Sequence, residues 1–268
     1  MDSYVAITRG DGPLVAAALH DGHAIRPDLR PHLALAESER LREEDPFTRR
    51  LTAVAPTRIV GLRSRFEVDL NRPPEKAVYR TPGDAWGLTV WHGDVPEAAF
   101  KASLDGYRAA YAEIEALLAE KVARHGAIVV YDLHSYNHRR EGPDGPAAPE
   151  AENPEVNIGT GSLDGERWSG LVDRFMEDLS EAAAETALGR RLDVRENVKF
   201  QGGYFSRWVH GRFPGRACVL AIEFKKVFMD EWTGEPDEAH LGALRGALQA
   251  TVPGVLAERT RVAESILA

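Results

Sequence analysis

Three residues able to bind a metal or move a proton stand at or near the ends of short apolar runs. They are His20 after Leu14–Leu19, His134 after Ala127–Leu133, and Glu223 inside Ala217–Phe224. In open α/β sheets ligands gather at the carboxyl ends of the strands, so side chains placed this way could converge. Each also has an ordinary reading, as a hydrogen-bonded structural histidine or as a buried glutamate in a salt bridge with Lys225, Lys226 or a neighbouring arginine. His20 and His23, spaced i and i+3, can share one metal, and Asp132 points the same way as His134 in an extended chain, where it could orient the imidazole. The only cysteine, Cys218, lies in an apolar run as a core residue, which excludes an internal disulfide and every cysteine-based zinc pattern. Two histidines plus a carboxylate or a third histidine, with room for water, match catalytic rather than structural zinc.

A second segment, Ser64-Arg65-Phe66-Glu67-Val68-Asp69-Leu70-Asn71-Arg72-Pro73-Pro74, alternates apolar and polar residues. In an extended chain it places Phe66, Val68 and Leu70 on one face and Arg65, Glu67, Asp69 and Asn71 on the other. That is either an edge strand with solvated charges or an arginine fork for a carboxylate substrate. Gly202-Gly203-Tyr204 is likewise a plain turn or a place where backbone approaches a ligand, with Tyr204 or Arg207 on the pocket wall.

The elements that must position these residues are readable as β-branched runs bounded by turn residues. Strands are expected at Leu14–Leu19, Thr57–Leu62, Ala127–Leu133 and Ala217–Phe224. Between them, Phe100, Leu104, Tyr107, Tyr111, Ile114, Leu118 and Val122 recur at helical spacing up to Gly126, behind an Asp94 N-cap. A second helix carries Trp168, Leu171, Val172, Phe175 and Leu179. A third runs from Pro236 past Leu248, with Pro253 as a kink or break. This alternation predicts an α/β sandwich on a largely parallel sheet, read as a single domain over 1–268. The Gly/Pro-rich stretch 137–165 reads as a loop and a possible lid.

The chain of 268 residues carries a formal charge of −9, which argues against nucleic acid as the main partner. No stretch is apolar enough to span a membrane and the first residues lack a signal-peptide pattern, so a cytoplasmic protein is expected.

Taken in order, His20, Asp45 in Glu-Asp-Pro, SRFEVDLNRPP at 64–74, YDLHSY at 131–136, NIGT at 157–160, FQGGYFSRWVHG at 200–211 and IEFKKVFMDE at 222–231 resemble the N-formylglutamate amidohydrolase (deformylase) family. That family is distantly similar to zinc carboxypeptidases and to aspartoacylase and succinylglutamate desuccinylase. The resemblance implies a three-layer α/β sandwich with a largely parallel or mixed sheet, one zinc ion, and a small acidic N-acyl amino acid as substrate. It makes His20 and His134 metal ligands, with Asp45 as third ligand and His23 as second choice. Glu223 becomes the general base, Arg65 the oxyanion stabiliser, and Asn71 and Arg72 the carboxylate-binding pair. The chain departs from the family pattern at LHDGH, where proline-His-Ser/Thr-Gly is usual, and at Ala112, where the family has a histidine after its second helix tyrosine.

Overall fold

The computed structural model describes residues 3–267. Seven strands, β1 (Val5–Thr8), β2 (Leu14–Ala18), β3 (Thr57–Gly61), β4 (Ile128–Tyr136), β5 (Val156–Gly159), β6 (Val194–Glu196) and β7 (Ala217–Lys225), form one sheet in the order β1-β3-β2-β4-β7-β5-β6. The four expected strands are its parallel centre: β3, β2, β4 and β7 run side by side in one direction. The other three are short. β1 pairs antiparallel with β3, and β5 antiparallel with β7, so the sheet is mixed.

The helices are α1 (Glu37–Glu43), α2 (Thr48–Leu51), α3 (Glu97–His125), α4 (Gly165–Ala182), α5 (Tyr204–Arg212) and α6 (Glu238–Leu267). Alternation along the central strands sends side chains into two cores. Val129, Tyr131 and Leu133 of β4 pack with Trp168, Phe175 and Leu179 of α4 and Leu244 and Leu248 of α6. Ile128 and Val130 pack on the other side with Ile114, Leu117 and Leu118 of α3 and Val209 of α5. The result is the expected three-layer sandwich, both faces of the sheet's parallel centre being covered by helices. Among the described residues no helix is long and apolar enough to cross a membrane.

Several elements differ from expectation for identifiable reasons. Pro96, not Asp94, occupies the cap position of α3 without a side-chain cap bond, and the Glu97 carboxylate is taken by the Arg80 guanidinium at 2.7 Å. Helix α6 continues through Pro253, which lies on its exposed side, where the carbonyl its ring leaves unpaired can be hydrated. Segment 64–74 is built of successive turns rather than a strand, the first closed by Glu67 N–H and Val68 N–H donating to Ser64 O. Glu67 and Asp69 are as buried as Phe66 and Val68, because Tyr4 donates to Glu67 and His20 bonds Asp69. Stretch 137–165 is not all loop, since it contributes β5 to the sheet interior.

Connections leave β2 toward β3 on one side and β4 toward β5, β6 and β7 on the other, so the topology switches direction between β2 and β4. The crevice at the carboxyl ends of these two strands is where such sheets bind ligands. His20 follows β2, and His134 lies within β4, which runs on to Tyr136 because it stays paired with β7 out to Lys225.

Close strand approach depends on Gly61. A Cβ there would stand 2.1 Å from the Leu19 carbonyl oxygen, backbone that cannot swing aside. Gly61→Ala should therefore destabilise the protein by ~1–3 kcal/mol or more. Gly242→Ala, in the open on α6, should stabilise it by ~0.5–1 kcal/mol. Thermal denaturation of the two variants, moving in opposite directions, checks this.

Candidate active site

At the β2/β4 crevice the two histidine rings lie with centroids 5.0 Å apart, both nearly fully buried. Each is anchored through Nε2. His20 Nε2 is 2.7 Å from Asp69 Oδ1, and His134 Nε2 is 3.0 Å from Asp132 Oδ1. With those nitrogens carrying the proton, both Nδ1 atoms turn to Asp45 Oδ2, at 3.4 Å from His20 and 3.0 Å from His134. His20, Asp45 and His134 thus offer ligand atoms within 4.8 Å of one another. A histidine ligand normally gives its second ring N–H to a carboxylate, and here both histidines do so, so the donor set fits a divalent metal.

Asp45 reaches this place because its N–H donates to His20 O (3.0 Å), just beyond β2. The buried Lys226 ammonium supports the same bend by donating to Glu44 O (2.7 Å) and Arg42 O (2.5 Å). Burial alone would raise the Asp45 carboxyl, but hydrogen bonds and charge from His134 and His20 hold it well below the usual range. Asp69 is held down in the same way, burial being outweighed by His20 and Arg65. Burial opposes the His134 imidazolium, yet the Asp132 carboxylate and then Asp45 push its pKa well above the ordinary value. Glu223, paired in register with His134 across β4 and β7, is pushed up to about 7 by burial, partly offset by His134. It makes no ion pair among the described residues, and Lys226 spends its protons on carbonyls, so the salt-bridge alternative is not what the structure contains.

Opposite the metal-ligand group, Asp69 also accepts from Arg65 Nη2 (2.9 Å), from Asn71 N–H (2.7 Å) and from the Tyr79 hydroxyl. Arg65 stacks over Trp86 at 4.8 Å, and its Nε has no hydrogen-bond partner. The turn carrying Leu70–Arg72 is buttressed from α3, where the Tyr111 hydroxyl donates to Leu70 O (2.7 Å) and the Tyr107 hydroxyl to Arg72 O (2.9 Å). Asn71 Oδ1 accepts from Phe205 N–H (2.9 Å) in the first turn of α5. Gly203 permits this docking, since a Cβ there would stand 2.1 Å from the Asn71 amide.

A cavity of about 380 Å³ opens onto His20, Asp45, Arg65, Asn71, His134, Gly203 and Glu223 together. Other sequence candidates lie outside its lining. His23 sits between Glu44 and Arg40, held at 2.5 Å and 2.9 Å, facing a separate surface pocket, and so does not join the metal-ligand group. Arg72 lies over the Tyr79 and Trp86 rings at 4.7 and 5.5 Å, Tyr204 packs against Tyr111, and Arg207 Nη1 donates to Gly202 O (3.2 Å).

Sequence reasoning missed Glu43, Trp86, Asn137, Arg140 and Lys199, all of which line the cavity. Lys199 directly precedes the quoted FQGGYF motif and could have been found there. Trp86 and Arg140 stand in turn-rich stretches that carry no periodic signal.

The fold recurs in solved structures. The crystal structure of N-formylglutamate amidohydrolase from Ralstonia eutropha JMP134 matches with a TM-score of 0.71 at 19% identity, covering 99% of this chain and 98% of that one. A gene product of Agrobacterium tumefaciens matches with a TM-score of 0.62 at 21% identity, covering 99% and 96%. No curated protein matches the chain in sequence. The model of the N-formylglutamate amidohydrolase family matches residues 12–229, a span that contains every member of the cavity named above, and the chain belongs to that family.

Proposed function

We propose that the protein hydrolyses the N-acyl amide, most simply N-formyl, of an acidic amino acid such as N-formylglutamate, giving formate and glutamate. The reading is carried by one observation: two imidazoles, each backed by its own buried carboxylate, turn their remaining nitrogens to Asp45 beside Glu223 in one small cavity. His20, Asp45 and His134 would hold the metal, zinc in the simplest case. When bound, the ion supplies Lewis acidity beside the scissile carbonyl.

Glu223 takes a proton from the attacking water and delivers it to the amine nitrogen as the C–N bond breaks. A carboxyl with a pKa near 7 is suited to both transfers. Arg65, with an unspent Nε–H and a guanidinium fixed by Asp69, faces the oxygen on which negative charge develops. Asn71 is the α-carboxylate donor that lines the cavity, while Arg72 stacks on Tyr79 outside the lining. The cavity of about 380 Å³ is large enough to hold an acylated amino acid.

Two experiments test this. His20→Ala, His134→Ala and Asp45→Ala should each lose most bound metal by elemental analysis, whereas His23→Ala keeps it. Glu223→Gln should retain metal and lose ~10²–10⁴-fold in kcat on N-formylglutamate. Full metal content in His20→Ala or near-normal turnover in Glu223→Gln would sink the assignment.

The pKa pattern also fixes a pH dependence. His134 and Glu223 both have folded-state values above their unfolded ones, so in metal-free protein their contribution to stability is present at low pH and is lost as pH rises through the folded values. Asp45 and Asp69 act oppositely, but only in the acid range below ~4. His138 and His210, lowered to about 4 by burial, act the other way over much of this range, so the Glu223 contribution is read as a difference: metal-free Glu223→Gln should gain melting temperature relative to the wild type as pH rises from ~5 to ~8. Metal must displace the His134 proton, so its affinity should rise with pH over the same range. Calorimetric titrations in buffers of different ionisation enthalpy would show the released proton.

A further inference from the structure

Four cations line the cavity: Arg65, Arg140, Lys199 and Lys226. Two are already committed. Arg65 is paired with Asp69 (2.9 Å), and Lys226 donates to backbone carbonyls. The other two stand at the cavity mouth. Lys199 Nζ donates to the neutral Asn153 amide oxygen (2.6 Å) and lies 5.2 Å from the Tyr136 ring centroid, with no carboxylate in ion-pair range among the described residues. Arg140 reaches only Glu43, at 3.7 Å, and that carboxylate already accepts from Asn137 (3.1 Å) and lies 3.5 Å from Arg42. Both side chains line the one cavity, and burial and then the like charge of Arg140 lower the Lys199 pKa. Two like charges facing one cavity repel, and an anion between them removes the repulsion and gains two attractions.

Lys199 is also positioned relative to the base. Asn157 of β5 stands in register opposite Glu223 on β7. Its side chain accepts from the Lys199 N–H (2.8 Å) and the Phe200 N–H (3.3 Å), and donates to Phe200 O (2.8 Å). The NIGT motif therefore ties the mouth of the cavity to the strand that carries Glu223.

We propose that Lys199 and Arg140 form the specificity-determining pair that receives the side-chain carboxylate of the acylated amino acid, selecting N-acyl diacids over analogues with neutral side chains. This rests on the amidohydrolase reading above. Arg140 belongs to stretch 137–165 and Lys199 to the approach to α5, so an acidic side chain is gripped from two separate segments of the chain.

The test compares metal-loaded wild type with Lys199→Gln, Arg140→Gln, the double variant and Lys199→Arg. N-formylglutamate and its neutral isostere N-formylglutamine are the substrates. The wild type should favour the diacid in kcat/KM. In Lys199→Gln the loss with N-formylglutamate should exceed that with N-formylglutamine by tenfold or more, mainly through KM. The double variant should lose the preference, and Lys199→Arg should recover part of it. A double variant that keeps the wild-type ratio overturns the pair. Independently of turnover, calorimetry with glutarate and butyrate should show tighter glutarate binding in wild type and a tenfold loss in Lys199→Gln. If the wild type hydrolyses neither substrate, the amidohydrolase reading fails, and the glutarate comparison alone decides on the pair. Equal affinity for the two acids in wild type, or undiminished glutarate affinity in Lys199→Gln, overturns it.

Discussion

A charge buried without compensation is among the most costly things a fold can contain, and this protein buries three carboxylates around two imidazoles. Asp69, Asp132 and Asp45 are almost completely removed from solvent, as are His20 and His134. Nearly everything near the crevice serves to hold that group together. Tyr79, Arg65 and the Asn71 N–H are recruited to Asp69, and Ser135 donates to Asp45 (3.1 Å). Ser206 of α5 approaches Asp132 at 3.4 Å. The helices that flank the site are fixed to it by polar bonds rather than by apolar packing alone. Asn71 binds the start of α5, and two tyrosines of α3 bind the turn that carries Asn71.

The outer shell explains why the cations divide as they do. Those close to the carboxylates are paired or locked onto backbone, which makes them scaffolding. Those at the mouth are exposed, Lys199 bonded to a neutral amide and Arg140 3.7 Å from Glu43, and neither is locked by a close carboxylate. A chain of net charge −9 repels acidic molecules at long range, so local cations at the entrance matter more than the global field.

The central strands were legible because β-branched apolar runs have few alternatives, and α3 and α4 because their periodicity is long. β1, β5 and β6 are three or four residues each, too short for any period to register. Segment 64–74 misled for a different reason. Its charged residues look solvated by alternation, but Glu67 meets Tyr4 and Arg26, and Asp69 meets His20, partners tens of residues away that spacing cannot reveal. Asp45 carries no local pattern at all and was reached through family resemblance. What separates it from His23 in space is the backbone hydrogen bond to His20 and the Lys226 contacts that hold the same bend, together with the neighbours Glu44 and Arg40 that claim the His23 ring.

The place of β7 in the sheet has a consequence for how the chain is made. It lies between β4 and β5, yet it comes last in chain order of the seven described strands, and each of its rungs with β4 joins residues 89 apart. Without residues 217–225 the strand order falls into two pieces, β1-β3-β2-β4 and β5-β6, and the strand β4, fully buried in the finished fold, has an unpaired edge. Such edges pair with other chains. The growing chain is therefore most exposed to edge-to-edge association from the time β4 emerges until β7 does, and a chain cut short of β7 should give insoluble product rather than a smaller stable fold.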